Sequence, residues 1–91
     1  MYYNNQILLA QLCNIAMWQG RGGIARRALK KYDTDEYYNL GTNDAFRWIW
    51  QDLHNTFPRN KRAVDRVMAE LAITIRECYP RLGLSVEVAY A

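Results

Sequence analysis

The sequence has few of the residues from which catalytic and metal sites are built. It contains one histidine, His54, and two cysteines, Cys13 and Cys78, which lie far apart at apolar positions of predicted helices. A structural zinc site needs closely spaced Cys and His ligands, so this composition argues against one. The acids form no recognisable catalytic pair, and we find no nucleophile motif or cofactor fingerprint. We therefore expect a protein that is not an enzyme and that uses no catalytic residue, cofactor or metal.

Long apolar runs and secretory features are missing as well. Six amide side chains interrupt residues 1–20, which leaves them far short of the roughly 18 apolar residues of a membrane-spanning helix. The same stretch lacks the basic region that opens a secretory signal. Two distant cysteines do not make a disulfide framework. We expect a cytoplasmic protein without membrane contact.

Apolar residues recur with the period of an amphipathic helix over most of the 91-residue chain. The first predicted helix begins after a cap at Asn4 or Asn5 and ends near Gln19. Its apolar residues cover most of its circumference, which places it at the centre of the fold. The turn at 20–23, GRGG, lacks the strand and the glycine spacing of a nucleotide-binding fingerprint, so we interpret it as a plain loop. Further helices are predicted over 24–32, 34–40, 43–56 and 60–79.

The C-terminal stretch 84–90 has a different period. Apolar residues alternate there with small or polar ones, which is typical of a β-strand. A lone strand needs a partner; residues 2–3, residues 37–40, a second copy of the chain and a foreign strand all remain open. The sequence thus predicts one small, mainly α domain over 1–91, a bundle of four to five helices with a short C-terminal β-strand. Pairing between copies would make it a homodimer.

Charge of one sign dominates each third of the chain. Residues 1–32 contain five cations and no acid, 33–58 contain five acids and one cation, and 59–91 contain six cations and four acids. Arginine outnumbers lysine nine to three, and its planar fork binds carboxylate and phosphate and stacks on aromatic rings. Together with seven tyrosines and three tryptophans, this composition favours an interaction surface.

Four of the cations share one side of the second predicted helix. Arg26, Arg27, Lys30 and Lys31 repeat at the same spacing as the apolar residues between them, so the helix has a cationic stripe and an apolar stripe. We predict that the four cations are exposed to solvent and that the apolar neighbours, including Leu29, are buried. Such a stripe is most often a solvated helix surface; its functional interpretation is contact with an anion.

Trp48 is out of phase with its helix. It lies about 200° around the axis from Phe46, on the side away from the apolar stripe that includes Trp50. Either a second packing partner covers Trp48, or it is exposed for binding. We predict that it is more exposed than Trp50.

These features predict a non-enzymatic macromolecular binding protein. The favoured hypothesis is a stoichiometric inhibitor or adaptor, similar in general style to phage-encoded inhibitors, that meets an acidic surface of a protein or nucleoprotein. The alternative is a nucleic-acid-binding protein whose basic face, residues 26–31, contacts phosphates; the acidic middle third and the lack of a helix-turn-helix pattern weigh against it. The candidate partner-binding residues are Arg26, Arg27, Lys30, Lys31, Arg47, Trp48, Arg62 and Arg66.

Overall fold

Five α-helices and one short 3-10 turn account for most of the chain in the computed structural model, which describes residues 2–88 with side chains from Tyr3 onward. The predicted mainly α fold is confirmed. Three breaks between residues 20 and 60 fall where Gly20, Gly41 and Pro58 interrupt the apolar periodicity, and a fourth falls at 32–34. The elements are α1 (Tyr2–Trp18), α2 (Gly22–Lys31), α3 (Asp35–Tyr38), α4 (Thr42–Thr56), α5 (Lys61–Cys78) and the 3-10 turn Pro80–Leu82.

Helix α1 lies at the centre, as its all-round apolar pattern predicts. It contacts each of the other four α-helices, and Leu8 and Leu12 have no exposed surface. Residues from α2, α4 and α5 close the same hydrophobic core around it. A helix with apolar residues on most of its circumference is stable only when several neighbours cover it.

The predicted cap at Asn4 or Asn5 is wrong, because α1 begins before both residues. Asn5 lies inside α1 and is fully buried, and its amide nitrogen donates to the carbonyl oxygens of Tyr37 (2.9 Å) and Leu40 (2.7 Å). The side chain therefore satisfies carbonyls at the end of α3 rather than amides at the start of α1. Helix α3 is capped by Thr34, whose hydroxyl oxygen accepts the backbone amide of Tyr37 at 3.3 Å.

The predicted C-terminal β-strand is wrong. Residues 83–88 have no regular secondary structure, yet Leu84 and Val86 are buried while Ser85 and Glu87 are exposed. An extended segment that lies across helices buries alternate side chains in the way a strand does. Alternation of buried and exposed side chains therefore indicates an extended backbone and does not require a sheet. Residues 89 and 90 of the predicted strand lie outside the described part of the chain.

Side chains of the helices hold this segment in place. The amide oxygen of Asn43 accepts the backbone amide of Ser85 at 2.8 Å, and the amide nitrogen of Asn43 donates to the carbonyl of Gly83 at 3.2 Å. The Arg76 guanidinium donates to the carbonyl of Val86. The backbone of this segment thus has side-chain partners within the chain, and the homodimer stays a prediction.

Candidate binding surface

The cationic stripe of α2 is smaller than its sequence suggests. Arg27 is half-buried, with 30% of its side chain exposed, and it forms a bidentate ion pair with Asp52 at 2.9 and 3.0 Å. The hydroxyl of Tyr32 donates to the same carboxylate at 2.5 Å. The prediction of an exposed Arg27 is therefore wrong, because α4 presents an acid to it. Arg26, Lys30 and Lys31 are exposed.

The Asp52 cluster has a defined charge state. Burial alone would raise the pKa of Asp52, but the hydrogen bonds from Arg27 and Tyr32 outweigh it and hold that pKa below its ordinary value. Burial and the neighbouring Asp52 carboxylate raise the pKa of the Tyr32 hydroxyl. The carboxylate stays ionised and the phenol neutral, so the cluster ties α2 to α4 and leaves Arg27 little freedom to meet a partner.

Leu29 is 65% exposed, so its predicted burial is wrong. At about 100° per residue, it lies at the edge of the apolar stripe whose centre is formed by Ala25, Ala28 and Tyr32. Those three residues are buried. The stripe was predicted correctly in position but too wide by one residue.

Trp48 does have a second packing partner. Its ring lies edge-on to Tyr32 at a centroid distance of 5.2 Å and 5.8 Å from the ring of Tyr37. The side chain is half-buried, and Trp50 is half-buried too, so the greater exposure expected for Trp48 stays a prediction. Arg47, beside it, is exposed and meets Asp44 one turn away at 3.5 Å, a type of surface pair that contributes little to stability.

Trp50 and the only histidine join α4 to α5. The indole nitrogen of Trp50 donates to a carboxylate oxygen of Asp65 at 2.9 Å, and His54 Nε2 lies 2.6 Å from the same oxygen. Asp65 thereby serves two partners on the facing helix. This arrangement gives His54 a structural role in joining the two helices.

The cations that the structure does bring together come from two distant parts of the sequence. Arg62 and Arg66 of α5 line a cleft of about 400 Å³ with Arg59 and Lys61, and Arg21 reaches it from the α1–α2 turn. Sequence reasoning singled out only Arg62 and Arg66. Of the other three, Arg21 lies in the break GRGG, Arg59 lies in the break FPRN and Lys61 follows it, and only the packing of α1 against α5 shows that these breaks meet.

The largest exposed apolar side chain adjoins this cleft and was also missed. Trp18 is 90% exposed at the last turn of α1, and Met17 is 64% exposed. The side-chain amide of Gln19 donates to the carbonyl of Arg66 at 3.4 Å, which joins the end of α1 to the edge of the cleft. Trp18 also borders a groove of about 350 Å³, whose remaining walls are Gln11, Asn14, Ile15, Gln19, Glu70 and Thr74.

Two exposed acids lie near the start of α1, and the five cations of the cleft lie near its end. Asn5, near its start, touches α3, where Asp35 and Glu36 are exposed. Trp18 lies thirteen residues further on, about 20 Å along a helix. We call the end with Trp18 and the five cleft cations the basic end.

No helix within residues 2–88 has both the length and the apolar character to cross a membrane. In the same part of the chain, no three His, Cys, Asp or Glu side chains come together as metal ligands. Comparison with family models, with curated proteins and with solved structures finds no match to this chain.

Proposed function

We propose that the protein is a non-catalytic inhibitor or adaptor that docks on an acidic surface of a partner protein or nucleoprotein through its basic end. The observation that carries this proposal is the exposure of Trp18, 90%, beside cations that have no acidic partner in the chain as described. Tryptophan and arginine dominate the binding energy of protein interfaces. We also propose a cytoplasmic setting, which the two free cysteines favour.

The surroundings of Trp18 support an anchoring role. Its indole and the neighbouring Met17 give the basic end an apolar centre, and Arg66 lies at its border through the contact with Gln19. An apolar anchor with a charged rim is the usual anatomy of an interface. Because the cations at this end outnumber the single acid of the groove, Glu70, an acidic partner is electrostatically complementary.

The alternative site, a nucleic acid on the face 26–31, has less support. Asp52 neutralises Arg27, and Lys30 and Lys31 end α2 only a few residues before the exposed acids of α3. Phosphates approaching that face would meet mixed charge. We therefore place the partner at the basic end.

Affinity capture from extracts of the native host tests this proposal. The immobilised protein should retain a stoichiometric protein partner, and Trp18→Ala should lose it. Tyr3→Ala is the matched control, since Tyr3 is also an exposed aromatic of α1, at 71%, but lies at the other end of the helix. Capture that survives Trp18→Ala, or that Tyr3→Ala abolishes equally, would contradict the proposed surface. Nuclease treatment of the extract should leave the protein partner bound.

A further inference from the structure

The cleft at the basic end concentrates positive charge that nothing in the described chain neutralises. Its walls hold four arginines and a lysine and no acid. None of these five lies within ion-pair distance of a carboxylate in residues 2–88, whereas Arg27 and Arg47 each have one. The cations are Arg21, Arg59, Lys61, Arg62 and Arg66.

Such a concentration of like charge is unfavourable unless an anion relieves it. A single carboxylate would neutralise one of the five cations. A nucleic-acid strand carries one negative charge on every nucleotide, so consecutive phosphates can meet several of the cations. The first turn of α5, with Lys61 and Arg62, also opens into the cleft, and the positive end of its helix dipole adds to the same field.

A recess with mainly apolar walls continues the cationic cleft. It encloses about 190 Å³, shares Arg21 and Asn60 with the cleft, and has apolar walls from Ile24, Val64 and the ring of Phe57. The backbones of the glycines at 20, 22 and 23 form its remaining side. An anion-binding cleft beside an apolar recess suits a nucleotide unit, whose phosphate is charged and whose base is flat and largely apolar on its faces.

We propose that this cleft binds single-stranded nucleic acid, with backbone phosphates on the five cations and a base or sugar in the recess beside Phe57. A single strand fits better than a duplex because its bases are free to leave the stack and enter a recess. This binding goes beyond the proposed protein docking and does not depend on it. The five cations belong to both proposed surfaces, so a nucleoprotein partner could meet Trp18 with its protein and the cleft with its nucleic acid.

Fluorescence anisotropy with a labelled single-stranded oligonucleotide tests the proposal. The cleft variant is Arg59→Ala with Arg62→Ala, and the matched control is Lys30→Ala with Lys31→Ala. Each pair removes two exposed cations, so both variants have the same net charge. Thermal unfolding of each variant establishes that it is folded.

The cleft variant loses two phosphate contacts, and each contact with a single strand contributes about 0.7 to the slope of log affinity against log salt. The magnitude of that slope should therefore decrease by about 1.4, and the affinity at 0.1 M salt should be about 25-fold weaker. The control should bind within about threefold of the wild type, because its cations lie outside the cleft and change only the long-range field. Trp18→Ala should bind the oligonucleotide as the wild type does, which keeps this result separate from protein docking.

Three results would overturn the proposal. Equal losses in the two double variants would show attraction to net charge rather than to the cleft. Equal affinity for polyglutamate of the same charge would show that the cleft does not select phosphate. Tighter binding of a duplex than of the single strand would show that no unstacked base or sugar enters the recess.

Discussion

Replacing Asn5 tests how a polar contact holds the shortest helix. The side-chain amide donates to the carbonyls of Tyr37 and Leu40 at 2.9 and 2.7 Å, and the Tyr37 hydroxyl donates back to the carbonyl of Asn5 at 2.6 Å. Helix α3 has only four residues, too few to persist without tertiary contacts. Asn5→Ala removes both donated bonds from a fully buried site.

The expected cost follows from those two bonds. Each contributes about 1 kcal/mol, and leaving buried carbonyls poorly satisfied adds to this, for a total of about 2–4 kcal/mol. The better helix propensity of alanine offsets only about half a kcal/mol of this loss in the free energy of unfolding. For a domain of this size the melting temperature should fall by about 10–25 °C. Asn5→Asp should be worse, because it places a carboxylate oxygen opposite the two carbonyls.

Thermal unfolding followed by far-ultraviolet circular dichroism measures the effect. Asn14→Ala is the control, since Asn14 is exposed on the same helix and its loss should change stability by less than about 0.5 kcal/mol. If Asn5→Ala melts within a few degrees of Asn14→Ala, the buried amide does not hold α3. Asn5→Asp with wild-type stability would refute the assignment of the donors.

Three further predictions concern other parts of the fold. The depressed pKa of Asp52 means that its contribution to stability is present above the unfolded value, about pH 4, and is lost as the pH falls below it. The melting-temperature gap between wild type and Asp52→Asn should therefore shrink from pH 7 to pH 3, and a constant gap would exclude this linkage. Trp48→Ala should lower the free energy of unfolding by about 2–4 kcal/mol in urea denaturation, as Trp50→Ala should, because both indoles are half-buried; a cost below about 0.5 kcal/mol would mean that the Tyr32 and Tyr37 contacts do not matter. Leu84→Ala should cost about 2–3 kcal/mol while Ser85→Ala costs almost nothing, and equal effects would show that the C-terminal segment is not docked as described.

Local patterns in the sequence predict the helices well. The period of α4 and α5 and the cap at Thr34 depend on residues a few positions apart, so the sequence contains the needed information. The sequence predicts the width of the apolar stripe on α2 less well. Leu29 lies at the border of that stripe, where the shape of the neighbouring surface decides whether a side chain is buried.

Features that depend on distant segments could not be predicted. Asn5 has the residue type of a helix cap, and only the position of α3 turns it into a buried donor. Alternation in the C-terminal segment indicates an extended backbone but does not say whether a sheet or a set of helices covers it. The cleft needs Arg21 beside Arg59, which are 38 residues apart, and no periodicity connects two loops.

The central position of α1 has a consequence for synthesis of the protein. This helix leaves the ribosome before the other four helices, with apolar residues on most of its surface, while the helix that covers much of it, α5, is made after them. Until residues beyond 61 emerge, α1 has no complete set of neighbours, and an exposed apolar segment invites association with other chains. We expect nascent chains that stall before α5 to aggregate or to recruit chaperones, and truncations from the C-terminal side to be far less tolerated than changes at the basic end.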